Sequence, residues 1–279
     1  MKVVSVVLKL YVMQGEKMRR YVQKGKHLIT LKKNNVLQYK KADWKEAILH
    51  IFFPRCCPIC NEPLQLLGNK ICNECLTNIQ FVTEPRCMCC GKGVSSNRHE
   101  YCYDCRKKNH YFKEAVSLCY YAAGVEQSLA QVKYYNKRQH LDFFCEELYY
   151  RYGKKLLEWG IDVIIPVPLH KRKRRSRGFN QAEEIGKRLS ILLHIPMDTN
   201  LLIRTKHTKA QKQLNDKERR NNIKDAFKVK QEEVRTIKRV LLVDDIYTTG
   251  STVDECAKEL LRAGVQTVYV ATIAIGKGY

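Results

Sequence analysis

Acidic residues are scarce in this 279-residue chain: 28 Asp and Glu stand against 51 Lys and Arg, a formal net charge of +23. A surface so far from neutrality attracts polyanions, whether nucleic acid, acidic membrane or multiply phosphorylated small molecules. Long apolar runs are absent as well. No stretch reaches the roughly 18 apolar residues that a spanning helix needs, and the N-terminal apolar patch is interrupted by Lys9. That patch is also too short for a secretory leader and has no small-residue cleavage site, so the expectation is a cytoplasmic protein without an integral membrane segment. The chain contains no G-x-x-x-x-G-K-[ST], which argues against an ATP-hydrolysing phosphate loop.

What charge there is lies unevenly. Residues 1–50 carry twelve Lys or Arg against three acids, whereas residues 51–105 carry five of each. Three regions follow: a basic N-terminal extension over 1–43, a cysteine-rich module over 44–110, and a third domain over 111–279. Two readings of the extension stay open: a true start at Met13 or Met18, or a basic tail.

Thirteen cysteines cluster in C-x-x-C pairs, a pattern of metal binding more than of disulfides. CPICNEPLQLLGNKICNEC and CMCCGKGVSSNRHEYCYDC both fit C-x2-C-x11-C-x2-C and are offset by 30 residues, an internal duplication. Four thiolates close a tetrahedron around zinc and leave no position for a reactive water, so the role expected is structural. The duplication favours the sets Cys57, Cys60, Cys72, Cys75 and Cys87, Cys90, Cys102, Cys105; interleaved pairing and His99 as a substitute ligand stay open. Cys56 and Cys89 are spare thiols, and Cys119, Cys145 and Cys256 read as core residues.

From residue 111 onward aliphatic runs alternate with stretches of helical periodicity, which predicts an α/β layer fold with a mainly parallel sheet. DVII is a short strand ended by prolines, RVLLV a buried strand, and VQTVYVATIAI the last strand. Residues 204–230 read as a polar basic loop or flap with one helical piece.

RVLLV leads into Asp244 and Asp245, then IYTTGST and a helix beginning near Thr252. Ligands of open α/β sheets sit beyond the carboxyl ends of strands. Gly250 lets the backbone come close, and the hydroxyls of Thr248, Thr249, Ser251 and Thr252 beside a helix N-terminus form a phosphate cradle. The two acids cannot hold phosphate, but they can accept hydrogen bonds from sugar hydroxyls and favour a nearby Mg²⁺. A sugar phosphate satisfies both halves. A second constellation follows PVPLH, where six of the seven residues from Lys171 to Arg177 are basic, a loop suited to pyrophosphate or nucleic acid.

VLLVDDIYTTGST closely resembles the signature of type I phosphoribosyltransferases. The order of cysteine module, PVPLH, RGFNQ and VDDIYTTGST resembles the ComF family of late-competence proteins over about residue 44 to the end. FFPRCCPIC, QVKYY and the spaced Thr208, Gln211, Leu214, Arg219, Asn222 and Phe227 add to it. The resemblance implies a type I phosphoribosyltransferase-like parallel sheet with a small N-terminal zinc module. It implies that phosphoribosyl pyrophosphate binds with Mg²⁺, Asp244 and Asp245 being the catalytic and ribose-holding pair and Thr248, Thr249, Gly250, Ser251 and Thr252 the 5-phosphate site. Lys173, Arg174 and Arg177 would face pyrophosphate, Lys173 standing where the family commonly has Arg. The implied role is handling of incoming single-stranded DNA in transformation, beside a competence helicase. Three readings stay open: a phosphoribosyl-binding DNA-uptake factor, an active phosphoribosyltransferase of nucleotide metabolism or salvage without a DNA role, and an adaptor whose loop is a relic. Phe179, Tyr134 and Tyr135 are candidates for base stacking, although the spacing of the tyrosines equally fits a helix core.

Overall fold

The strands from residue 114 onward include one four-stranded parallel sheet. A computed structural model describes residues 55–64, 69–96, 98–122, 124–206, 223–230, 234 and 236–277; the extension over 1–43 and the positions Thr208, Gln211, Leu214, Arg219 and Asn222 lie outside the described residues. In chain order the elements are α1 (Asn73–Asn78), α2 (Tyr103–Lys107), β1 (Glu114–Tyr120), α3 (Val125–Tyr135), α4 (His140–Glu158), β2 (Val163–Pro166), α5 (Lys171–Arg177) and α6 (Gln181–Leu193). They continue with β3 (Leu202–Arg204), β4 (Phe227–Val229), β5 (Arg239–Tyr247), α7 (Ser251–Arg262) and β6 (Thr267–Ile275). The sheet order is β1-β6-β5-β2 with every pair parallel, while β3 and β4 form a separate antiparallel pair.

Alternation along the strands divides the core in two. Leu241 and Val243 of β5 face a cluster with α3, α4 and α6, and Val240 and Leu242 face one with α7 and the β3–β4 pair. This is the two-sided burial that makes parallel strands read as unbroken aliphatic runs. Polar pairs are admitted to the interior: Ser117 and Thr272 meet across β1 and β6 at 2.7 Å, and Ser128 Oγ meets His140 Nδ1 between α3 and α4 at 3.3 Å.

The duplicated module repeats in structure at the same 30-residue offset. Asn61 N donates to Cys57 O and Gly91 N to Cys87 O, and Cys57 N donates to Glu62 O as Cys87 N does to Lys92 O. Asn61 and Gly91 both take a left-handed φ, of 64° and 70°, and Cys72 and Cys102 stand as N-caps of α1 and α2. The two ribbons straddle edge strand β1. Cys57 and Cys75 join the core on one face of the sheet, and Cys87, Cys90 and Cys102 join the other. The segment between them follows β1, with Val82 N donating to Leu118 O and Tyr120 N to Gln80 O, which covers an otherwise open sheet edge.

Three expectations are corrected. The basic stretch after PVPLH is a helix, not a loop, because the His170 side chain accepts from Arg172 N at its start and Gly178, φ 80°, closes it. β5 does not end at Val243. It runs on to Tyr247 through both aspartates, since β6 continues beside it and pairs Asp244 with Thr272 and Tyr247 with Ile275. Within 204–230, Phe227–Val229 is a strand with Phe227 fully buried, because its apolar side chain enters the core beside α7. The buried positions of Cys119, Cys145 and Cys256 agree with their reading as core residues.

A Cβ at Gly91 would lie 2.5 Å from Ala115 O of β1, on top of a positive φ. Gly91→Ala is therefore expected to lower stability by about 1–3 kcal/mol, seen as a fall in thermal midpoint, whereas Asn61→Gly in the first ribbon leaves it nearly unchanged. Equal midpoints for Gly91→Ala and wild type would refute this docking.

Candidate functional site

The eight paired cysteines come together in the sequential sets, with the sulfurs of Cys57, Cys60, Cys72 and Cys75, and of Cys87, Cys90, Cys102 and Cys105, all within 4.8 Å of one another. Sulfur separations are 3.7 Å for Cys57–Cys72, 3.9 Å for Cys60–Cys72 and 3.6 Å for Cys90–Cys102. A tetrahedron with zinc–sulfur bonds of about 2.3 Å has edges of about 3.8 Å, so the spacing fits zinc. Hydrogen bonding with Cys105 draws the Cys102 thiol down to about 6 and pushes Cys105 up, because four sulfurs this close cannot all ionise unless a cation lies among them. His99 is in neither set; the histidine beside the second ribbon is His110, with Nε2 3.5 Å from Cys105 Sγ.

The second constellation forms where β2 stops. Pro166 pairs with Val243 as the last residue of β2, Val167 N still donates to Val243 O, and the chain then turns away to Pro168 and α5. β5 continues four residues further, so Asp244 and Asp245 stand at an opened sheet edge. Successive strand residues point to opposite faces. Asp244 is within electrostatic reach of Cys256 of α7 and Arg204 of β3, and Asp245 faces α3, where Lys133 Nζ lies 2.6 Å from its Oδ2. The two side chains nonetheless interact directly with each other, and Lys133 acts on both.

Their charges differ accordingly. Burial, and then the neighbouring charge of Asp245, pushes the Asp244 carboxyl up to about 8, and its Oδ1 accepts from Asp245 N at 2.9 Å. Burial also opposes ionisation of Asp245, but Lys133 outweighs it and holds this carboxyl below the ordinary value. Burial, followed by Arg204, Arg177 and Lys133, depresses the Lys173 ammonium, which places those four cations around one region. Arg177 additionally donates to Gln181 Oε1 at 2.6 Å. Arg174 does not join them: it pairs with Glu183 of α6 at 2.5 Å.

On the other flank, Gly250 takes φ 73° as the N-cap of α7 and brings no side-chain oxygen to the first-turn amides. Its Cβ would lie 2.3 Å from Tyr247 Oη, so a side chain there would force the ring or the loop aside. Thr249 Oγ1 and Ser251 Oγ meet at 2.9 Å, Thr248 is exposed, and Thr252 is half-buried. Cations thus lie on one flank of the carboxylates and hydroxyls at a helix N-terminus on the other, which suits a diol flanked by two anionic groups. Lys133 and Arg204 escape a reading of the sequence alone. Lys133 lies in QVKYY, noted above only as a motif, and Arg204 borders a stretch read as a loop.

The double zinc ribbon domain matches residues 48–106, and the phosphoribosyl transferase domain matches residues 145–278. Competence protein F of Haemophilus influenzae is 33% identical over 229 residues, spanning 80% of this chain and 98% of the relative. The chain belongs to the ComF family. Other relatives are the DNA utilization protein YhgH of Escherichia coli O157:H7, 32% identical over 78% of this chain and 95% of its own, and competence protein ComFC of Bacillus subtilis, 26% identical over 70% and 79%. The solved purine phosphoribosyltransferase of Pyrococcus horikoshii Ot3 aligns with 48% of this chain and 73% of its own at 20% identity and a TM-score of 0.30. By its parallel sheet and the two domain matches, this ComF chain has a parallel-sheet phosphoribosyltransferase-like fold with an N-terminal cysteine module suited to structural zinc. Among its described residues no helix is long and apolar enough to cross a membrane.

Because the folded state keeps the Asp244 proton up to about 8 while an unfolded carboxyl releases it near 3.8, the folded chain binds more protons between those values. Asp244 therefore makes stability fall as pH rises through that window. In Asp244→Asn this component is removed, so the thermal midpoint should decline less than that of wild type between about pH 5 and about pH 8; parallel profiles would contradict the assigned proton.

Proposed function

We propose that this ComF chain binds a 5-phosphoribosyl ligand of the phosphoribosyl pyrophosphate class at the carboxyl end of β5, and holds single-stranded DNA on its basic surface during DNA uptake in the cytoplasm. The observation that carries the first part is the placement of Asp244 and Asp245 between the hydroxyl loop of α7 and the cations Lys133, Lys173, Arg177 and Arg204. The ribose diol meets the carboxylates, and the 5-phosphate meets Thr248, Thr249, Gly250, Ser251 and Thr252 at the helix N-terminus. The diphosphate extends toward the cations, Asp245 exchanging part of its bond to Lys133 for the sugar.

Two carboxylates are the number with which Mg²⁺ commonly associates when it arrives on phosphates, so the donor set fits that ion as a companion of the ligand. Bound there, Mg²⁺ would supply neutralisation of diphosphate charge. Should transfer occur, the same four cations would stabilise the departing pyrophosphate.

The DNA part is supported by α5, whose Lys171, Arg172, Arg174 and Arg175 are exposed, and by Tyr134 and Tyr135, 68% and 74% exposed at the end of α3. The tyrosines are thus surface residues and not core, with the Arg177 guanidinium 5.9 Å from the Tyr134 ring centroid. Phe179, by contrast, is buried under Arg138 and is corrected to a core residue.

Phosphoribosyl pyrophosphate with Mg²⁺ at one hundred times its dissociation constant should add about 2.7 kcal/mol and raise the thermal midpoint by several degrees. The shift should vanish in Asp244→Asn with Asp245→Asn; its absence in wild type would defeat the ligand assignment. Acceptor-dependent release of pyrophosphate would extend binding to transfer.

Affinity for a single-stranded oligonucleotide should fall steeply with salt, with a log–log slope of about −0.7 per phosphate neutralised. Tyr134→Ala with Tyr135→Ala should cost about 1–3 kcal/mol for each stacked base. A flat salt response would exclude this surface.

A further inference from the structure

The second ribbon carries more metal-binding atoms than a ribbon needs. Cys89 Sγ, Cys105 Sγ and an imidazole nitrogen of His110 lie within 4.8 Å of one another, as a set distinct from the tetrahedron that also uses Cys105. The duplication provides an internal comparison: 30 residues earlier, the first ribbon has Ile59 in place of Cys89 and Gln80 in place of His110. It makes the same turns and the same short helix without them, so the extra ligands are not a requirement of the fold.

The surroundings of His110 resemble those of a metal ligand. Its Nδ1 lies 2.9 Å from Oδ2 of the buried Asp254, which also receives Lys108 and, at Oδ1, the Tyr111 amide. A carboxylate on one ring nitrogen fixes the tautomer and turns the lone pair of the other outward, the usual support of a metal-bound histidine. Here the other nitrogen, Nε2, faces Cys105 Sγ at 3.5 Å. In a tetrahedron with metal–sulfur and metal–nitrogen bonds of about 2.3 and 2.05 Å, the sulfur–nitrogen edge is about 3.6 Å. A simple N–H···S hydrogen bond would have a similar length, but it gives Cys89 no part. The Cys89 carbonyl accepts from Ala115 N of β1 at 2.7 Å, which anchors this thiol beside the other two groups.

We propose that the second ribbon binds an additional zinc-class cation through Cys89, Cys105 and His110, with Cys105 bridging it to the ion held by Cys87, Cys90 and Cys102. Charge favours the arrangement, because four thiolates around one divalent ion leave two negative charges and a second ion offsets them. Thiolate and imidazole select a borderline or soft cation over Mg²⁺. Three protein ligands leave the fourth position to water or a small thiol.

The test is metal content of the full chain, purified with zinc under reducing conditions and desalted. Three zinc ions per chain are expected in wild type, and two in both Cys89→Ser and His110→Ala. Two ions in wild type, an unchanged count in the variants, or loss of both second-ribbon ions in Cys89→Ser would overturn the proposal. In case a variant fails to fold, cadmium-loaded wild type gives an independent reading: three ¹¹³Cd resonances, two of them spin-coupled through Cys105, support the bridge, and two uncoupled resonances refute it.

Discussion

Two carboxylates on consecutive residues of a buried strand repel each other and lose their hydration, and the carboxyl end of the sheet is organised around that cost. Lys133 meets Asp245 directly, Asp244 retains a proton, and Arg204, Lys173 and Arg177 lie within electrostatic reach. Such an arrangement is poor material for stability alone, because a buried charge pair seldom returns more than its desolvation costs. The ligand proposed above would replace these contacts with better ones. A polyanionic sugar phosphate, as proposed, would match both signs of charge at once.

Backbone topology puts the pair where a ligand can reach it. β2 is short and ends in prolines, whereas β5 and β6 continue together. The difference in length opens a notch on one side of β5, and the aspartates occupy it. Tyr247 then packs against Gly250, so the strand end, the tight turn and the N-terminus of α7 form one unit.

The ribbons solve a separate problem. β1 is an edge strand, and an uncovered edge invites association with other chains. Two small cysteine ribbons suited to zinc, linked by a segment that pairs with β1, close that edge while adding little core of their own. Asp254 connects the second ribbon to α7 through Lys108, His110 and Tyr111. The metal module and the hydroxyl loop therefore share a helix.

Much of this was legible in residue order. The C-x2-C-x11-C-x2-C duplication specifies its own local turns, because the ligands of each ribbon lie close in sequence, and the aliphatic runs identify the parallel strands. The motif VLLVDDIYTTGST located the acidic pair, although its strand proved longer than the run of aliphatics, since pairing with β6 outweighs the low strand propensity of Asp. Capping by His170 and Gly178 made a helix of a segment whose charge suggested a loop.

What the sequence by itself determined were the groupings set by short-range spacing: two cysteine tetrads, an acidic pair, a hydroxyl turn and a basic cluster. Only the tertiary structure decided which distant groups meet them. Lys133, Arg204 and His110 come from α3, β3 and the segment before β1, brought to their partners by sheet order and helix packing. Local motifs are fixed by backbone geometry over a few residues, whereas compensation of a buried charge depends on whichever element the fold lays beside it.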